Sequence, residues 1–277
     1  MLHAVAIFFP GLAGRLCMAA SVVLLCLLSL PFTAACARPD QDIKEAVRQV
    51  LRENPNLILD ILQEHSETVL EIAQRGDMLR KRRALFAQWE QDAKTPKSID
   101  LDGRSFRGYI NAPVTIVAYS DFTCSFCLRA EQMLAQLLKK YDGKIRVTFK
   151  ALPRDNDSYS LAAAQYATAA FMIDPEKGWE FSDALFNSMP LFERDTENFL
   201  RDTAAHLGYD LRRLKAEAGS PAVQQRLAAD RQEADSLGIS GTPHFVVNDL
   251  MIRGAIARDL FEEAVDMALK LEGVISH

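Results

Sequence analysis

The chain has 277 residues, of which 49% are hydrophobic and 25% are charged, and its formal net charge is −5. This length allows one elaborated domain or two small ones, and the composition is that of a globular protein, which excludes disordered and low-complexity classes. The acidic balance argues against nucleic acid as a partner, because such proteins neutralise phosphates with excess basic residues.

Residues 1–37 have the order of a secretory signal peptide. After Arg15 the chain is uncharged, with an apolar centre followed by small residues. Cleavage after Ala37 would release the mature chain, whereas Thr33–Cys36 resembles a bacterial lipobox that would place a lipid anchor on Cys36. The run is also long enough to stay as a membrane anchor. All three interpretations predict the periplasm or another extracytoplasmic compartment, where disulfides persist.

Residues 38–97 are predicted to form a helical arm. Asn54 followed by Pro55 indicates that a second helix begins there, after a short first one. Mostly apolar residues recur in this second helix at intervals of seven, in two series: Leu62 and Val69, and Ile58, His65, Ile72, Leu79 and Phe86. Two interpretations stay open, because the helix could pack on its own domain or join copies of the chain into a homo-oligomer.

Residues 98–277 change to a pattern of strands and helices. β-Branched runs at 113–120 and 144–150 predict two buried strands, and the helical spacing between them predicts a strand-helix-strand unit with a parallel pair. Residues of about 155–239 are helical and rich in Ala and Leu. A hairpin and a closing helix within 244–271 complete an α/β fold with an inserted helical block.

Cys124 and Cys127 are the only cysteines after the leader, and they stand where the first strand gives way to a helix. A helix N-terminus favours the thiolate form of the first cysteine. A stabilised thiolate attacks disulfides and is also a good leaving group, so this position suits exchange in both directions. We interpret Cys124 as the nucleophile and Cys127 as the less exposed thiol that resolves the mixed disulfide.

Three other interpretations of this cysteine pair stay open. It could be a structural disulfide, half of a zinc site or a Cu(I) site made of two thiolates. Zinc would need a second pair of ligands, and the five histidines show no paired spacing. We therefore predict no metal site and no cofactor, the redox-active group being the Cys124–Cys127 disulfide itself.

Gly241-Thr242-Pro243 stands directly before the third predicted strand. Proline cannot donate to a sheet ladder, so Pro243 is either an edge residue or part of a deliberate turn, in which a cis bond is tolerated.

These motifs together resemble the DsbA-like branch of the thioredoxin superfamily over about Ile99 to Leu271. The resemblance implies a thioredoxin fold with an inserted helical domain and an N-terminal helical arm. It also implies that a cis Pro243 lies against Cys124 and Cys127, and that backbone groups of Thr242 bind the client peptide. The layout is similar to that of suppressor-of-copper-sensitivity C proteins, in which an N-terminal arm can oligomerise the catalytic domains.

The sequence departs from this family's pattern in two places. Ser125-Phe126 separates the cysteines, where many relatives have a histidine that stabilises the thiolate. Ala118 stands six residues before Cys124, where many relatives have a buried acid that moves a proton during exchange. His244, next to Pro243, is a titratable residue that faces either the site or away from it.

The resemblance implies an exported thiol-disulfide oxidoreductase that acts on protein clients and has a membrane redox partner. An oligomeric isomerase or reductase is the alternative within the same class. A non-enzymatic protein that binds Cu(I) or holds unfolded clients is the alternative from another class.

Overall fold

The computed structural model describes residues 39–274. They belong to two compact units, one that ends at Gln74 and one that begins at Arg75. The predicted signal peptide, its cleavage site and the lipid anchor at Cys36 lie outside the described residues. Between residues 39 and 274, no helix combines the length and the apolar character needed to cross a bilayer.

The first unit is helical. Helix α1 spans Pro39–Glu53, α2 spans Pro55–Glu64, and α3 spans Ser66–Asp92 and continues into the second unit. Pro55 stands in the first turn of α2, as predicted. The prediction of one continuous helix after Pro55 is wrong, because His65 adopts φ −107° and ψ 30° and ends α2.

Apolar side chains of α1 and α2 face solvent. Ile43, Val47, Ile58, Ile61 and Leu62 are each between 43% and 62% exposed. No residue of α2 is buried. A concentration of exposed apolar side chains on a helical surface is typical of a surface that contacts another molecule.

The second unit contains a five-stranded sheet, counted over the described part of the chain. Its strands are β1 (Arg107–Gly108), β2 (Val114–Ser120), β3 (Ile145–Ala151), β4 (His244–Val247) and β5 (Leu250–Arg253). The spatial order is β1-β3-β2-β4-β5, and β2 and β3 are the parallel pair. Helix α4 (Ser125–Lys140) connects them, so the predicted strand-helix-strand unit is confirmed.

A block of helices separates β3 from β4. Its members are α5 (Ser158–Ile173), α6 (Pro175–Asn187), α7 (Met189–Arg194), α8 (Thr196–Leu207), α9 (Leu211–Ala218) and α10 (Pro221–Ser236). Aspartate side chains accept hydrogen bonds from first-turn N–H groups of α5, α6, α8 and α9, which explains where these helices begin. The block lies where the sequence predicts the helical insertion.

The closing helix α11 spans Arg258–Leu271 and packs its apolar face on the sheet. Trp89, near the end of α3, is fully buried in the same core, and its Nε1 donates to the Met251 carbonyl at 3.1 Å. The second part of α3 therefore belongs to the second unit. The boundary at Gln74 falls inside the segment 38–97 that the sequence assigns to the arm.

Candidate active site

The register of the sheet brings two loops together. Tyr119 near the end of β2 pairs with His244 at the start of antiparallel β4. The loop that follows β2 and the loop that precedes β4 therefore meet at the same end of these two neighbouring strands. The first loop leads to Cys124 and the second contains Thr242 and Pro243.

Cys124 is the N-cap residue of α4, with an extended backbone at φ −92° and ψ 113°. Its carbonyl oxygen accepts hydrogen bonds from the N–H groups of Cys127 (2.9 Å) and Leu128 (3.2 Å). The side chain is partly exposed, and Sγ lies 3.7 Å from the carbonyl oxygen of Thr242. An incoming sulfur can therefore reach Cys124 at the start of the helix.

Cys127 is buried in the first turn of α4, and both cysteines are free thiols in this structure. Burial raises the pKa of the Cys127 thiol, and the hydroxyl of Ser120 and the N–H of Asp121 oppose that rise by hydrogen bonding. The Cys127 thiol is therefore protonated at neutral pH. A buried, protonated thiol thus lies one turn from a partly exposed one, and the division of roles between them stays a prediction.

The Thr242–Pro243 peptide bond is cis, as the resemblance implies. Thr242 is half-buried and Pro243 is buried. Cys124 contacts Thr242, so the structure brings together the four residues that the sequence analysis assigns to the site.

Asp121 anchors the loop that precedes Cys124. Its buried carboxylate accepts hydrogen bonds from the Thr123 N–H (2.9 Å), the Ser160 hydroxyl (2.9 Å) and Arg154 Nε (3.2 Å). Sequence reasoning missed Arg154 and Ser160, which follow β3 and meet Asp121 only in the folded chain. The carboxylate of Asp121 thus holds the loop in place, while the backbone N–H of Asp121 forms a hydrogen bond with Cys127.

Ala118 and His244 supply no acid or base to the site. Ala118 is buried and has no titratable group. His244 is buried, its Nε2 has no hydrogen-bond partner among residues 39–274, and burial, assisted by Arg253, lowers its pKa to about 4. His244 does not line the groove beside Cys124, so of the two orientations left open by the sequence the structure has the one that faces away from the site.

Two grooves flank Phe126, whose ring is exposed between the cysteines. One contains Cys124 and Thr242 and is bounded by Pro153 and two arginines. The other is lined by Met133 and Ile256 among other residues. The guanidinium of Arg129 lies 4.4 Å from the centre of the Phe126 ring. The groove that contains Cys124 offers an extended peptide a path past this residue.

Metal ligands do not cluster in the described part of the chain. Between residues 39 and 274, no three His, Cys, Asp or Glu side chains are placed to hold one ion.

The sheet is of the thioredoxin type, two cysteines stand at a helix N-terminus, and a cis proline lies in the facing loop. Together these features define a thioredoxin-like protein. The family model described as thioredoxin matches residues 101–267, and the chain belongs to this family. The predicted resemblance to the thioredoxin superfamily and the predicted fold class are confirmed.

Similar proteins include sodium/proton antiporters and a disulfide-bond protein. The chain is 34% identical over 183 residues to "Na(+)/H(+) antiporter NhaA 3" of Salinispora tropica, a match that covers 65% of this chain and 27% of that protein. The chain thus spans about a quarter of the length of this curated relative. It is 25% identical over 180 residues to "Disulfide bond formation protein D" of Bacillus subtilis, covering 61% of this chain and 79% of that protein.

Among solved structures, the chain is similar to a linker-deletion variant of Proteus mirabilis ScsC. The TM-score is 0.53 at 21% identity, and the match covers 87% of this chain and 99% of that one. At this identity the likeness concerns the fold alone.

Proposed function

We propose that this protein is an exported thiol-disulfide oxidoreductase that exchanges disulfides with protein clients at Cys124 and Cys127. One observation carries the proposal: partly exposed Cys124 caps a helix 3.7 Å from the Thr242 carbonyl, with buried Cys127 one turn further on. The likeness to a disulfide-bond formation protein supports it.

In the oxidising direction, a client thiolate attacks Cys124 Sγ in the Cys124–Cys127 disulfide. A client–Cys124 bond forms while the bond to Cys127 breaks, and Cys127 leaves as a thiolate that takes a proton from water. A second client thiolate then attacks the first client sulfur and releases Cys124 as a thiolate. The client loses two electrons and the protein gains them.

Trapping distinguishes the two cysteines. In Cys127→Ser, a mixed disulfide with a client has no second thiol to resolve it, so covalent complexes should accumulate on non-reducing gels. Cys124→Ser is the matched control and should form none, because the remaining thiol is buried. Equal trapping by both variants, or by neither, would contradict the assignment.

The alternative activity, isomerisation by an oligomer, is favoured by the exposed apolar surface of α1 and α2. In that case two Cys-x-x-Cys sites held together would act on one misfolded client. The double variant Ile58→Glu/Leu62→Glu should then be monomeric by light scattering and reactivate scrambled ribonuclease poorly. Asn56→Glu/Gln63→Glu adds the same charge at polar positions of α2 and should leave both properties unchanged.

Extracytoplasmic location, a membrane redox partner and a lipid anchor at Cys36 belong to the same proposal. Fractionation of cells after globomycin treatment separates an anchored from a released protein. Cu(I) binding by the purified protein without any exchange would favour the non-enzymatic alternative.

A further inference from the structure

The groove beside Cys124 carries two arginines on its walls. Arg154 follows β3 and Arg231 belongs to α10, and both line this groove with Cys124 and Thr242. Their side chains are 57% and 35% exposed. On a chain with a net charge of −5, this pair places two positive charges beside the nucleophile, against one carboxylate in the same groove wall, that of Asp155.

The carboxylates that pair with Arg154 do not line the groove. Arg154 Nε lies 3.2 Å from Asp121 Oδ2, and its Nη2 lies 2.9 Å from Asp157 Oδ2. Asp121 is buried, and neither aspartate is among the residues that form the groove wall. These two carboxylates therefore fix the position of Arg154 from outside the groove.

Arg231 keeps free donors. Its Nη2 donates to the Pro153 carbonyl and lies 3.4 Å from Asp155 Oδ1. Over the described residues, its Nε and Nη1 make no hydrogen bond. The Asp155 side chain is 86% exposed, so solvent screens this ion pair.

We propose that this groove selects client segments that carry a carboxylate next to the reacting cysteine. The inference rests on the exchange activity proposed for Cys124. A guanidinium with free donors binds a carboxylate through directed, charge-assisted hydrogen bonds. An extended segment held at Thr242 advances about 3.3 Å per residue, so residues that flank its cysteine reach the groove walls.

The test follows reduction of a peptide disulfide by the reduced protein. The Cys124 thiolate attacks one peptide sulfur, a Cys124–peptide bond forms, and the other peptide leaves as a thiolate with the bonding electrons. Cys127 loses its proton to water, attacks Cys124 Sγ and displaces the second peptide. The protein is oxidised by two electrons, and the two peptide thiolates take up protons from water.

The probes are three end-blocked peptides, each a disulfide-linked dimer, with Glu, Gln or Lys on both sides of the cysteine. Rates are measured by acid quench and chromatography for the full protein, Arg231→Gln and Asp155→Asn. For each peptide, the rate with the variant is divided by the rate with the unmodified protein. This ratio cancels the intrinsic reactivity of the peptide.

Arg231→Gln should slow the Glu peptide about threefold, on the scale of one exposed ion pair, and leave the Gln peptide unchanged. Asp155→Asn should speed up the Glu peptide about twofold, because it removes a competing carboxylate. Both effects should shrink in 0.5 M salt. Equal slowing of the Glu and Gln peptides by Arg231→Gln, or no slowing at all, would overturn the selectivity. Failure of the unmodified protein to reduce any peptide would instead overturn the exchange function and the selectivity with it.

Discussion

Lys150 on β3 and Glu233 on α10 form a buried ion pair, with Nζ 2.5 Å from Oε1. Tyr119 on β2 donates its hydroxyl to the same Glu233 oxygen, and Asp230, one turn earlier on α10, pairs with Arg104. This polar network fixes α10 against the sheet. It thereby holds Arg231, the next residue after Asp230, at the groove beside Cys124.

Lys150→Met should destabilise the fold. The Lys150 side chain is fully buried, so its removal leaves the mostly buried Glu233 without its cation, a change that costs about 3–5 kcal/mol. Lys140→Met is the control, because Lys140 pairs with Glu262 at an exposed position and should cost at most about 1 kcal/mol. Urea unfolding measures both. Equal losses would mean that the Lys150 network contributes no more than a surface pair.

His244 should make the fold sensitive to mild acid. Burial lowers its pKa from 6.5 to about 4, with Arg253 acting in the same direction and Asp92 opposing. In the unfolded chain His244 therefore becomes protonated below about pH 6.5, whereas in the folded chain it becomes protonated only near pH 4.

The free energy of unfolding should thus fall as the pH drops from 7.5 to 5, by about 2 kcal/mol from His244 alone. His244→Leu cannot titrate and should lose correspondingly less over this range. Denaturant titrations at both pH values test this. A drop of the same size in the variant would assign the acid sensitivity to other groups.

Local patterns predicted the elements that surround the nucleophile. A pattern within a few neighbouring residues predicts each of three elements: strand β2, the start of α4 at Cys124, and the β4–β5 hairpin. The proximity of Thr242 to Cys124 was predictable only through the family resemblance, because these residues are 118 positions apart.

The remaining features depend on contacts between distant segments. Arg154, Ser160 and Arg231 carry no local signal, since each acquires its role from a partner on another element. Strand β1 has only two residues, too few for a periodic pattern. Trp89 shows why the arm boundary was difficult to place: helical spacing indicates an apolar side but not which domain covers it.

Two helical glycines should respond in opposite ways to alanine. A Cβ atom on Gly178 of α6 would lie 2.7 Å from Phe171 Cα, so Gly178→Ala should cost about 1–3 kcal/mol. At Gly76 of α3, no side chain or other segment among the described residues lies within 4 Å of the corresponding Cβ position, so Gly76→Ala should stabilise the helix by up to about 1 kcal/mol. Thermal unfolding of both variants tests the pair. Stabilisation by Gly178→Ala would contradict the close approach of α5 and α6.

Equilibration with glutathione buffers tests the exchange site most directly. After acid quenching and alkylation, mass spectrometry counts the free thiols at Cys124 and Cys127. We predict one transition in which both thiols disappear together, as the ratio of glutathione disulfide to the square of glutathione rises, and no such transition in Cys124→Ser. Persistence of both thiols across all buffers, or independent modification of each by glutathione, would contradict a redox-active Cys124–Cys127 pair.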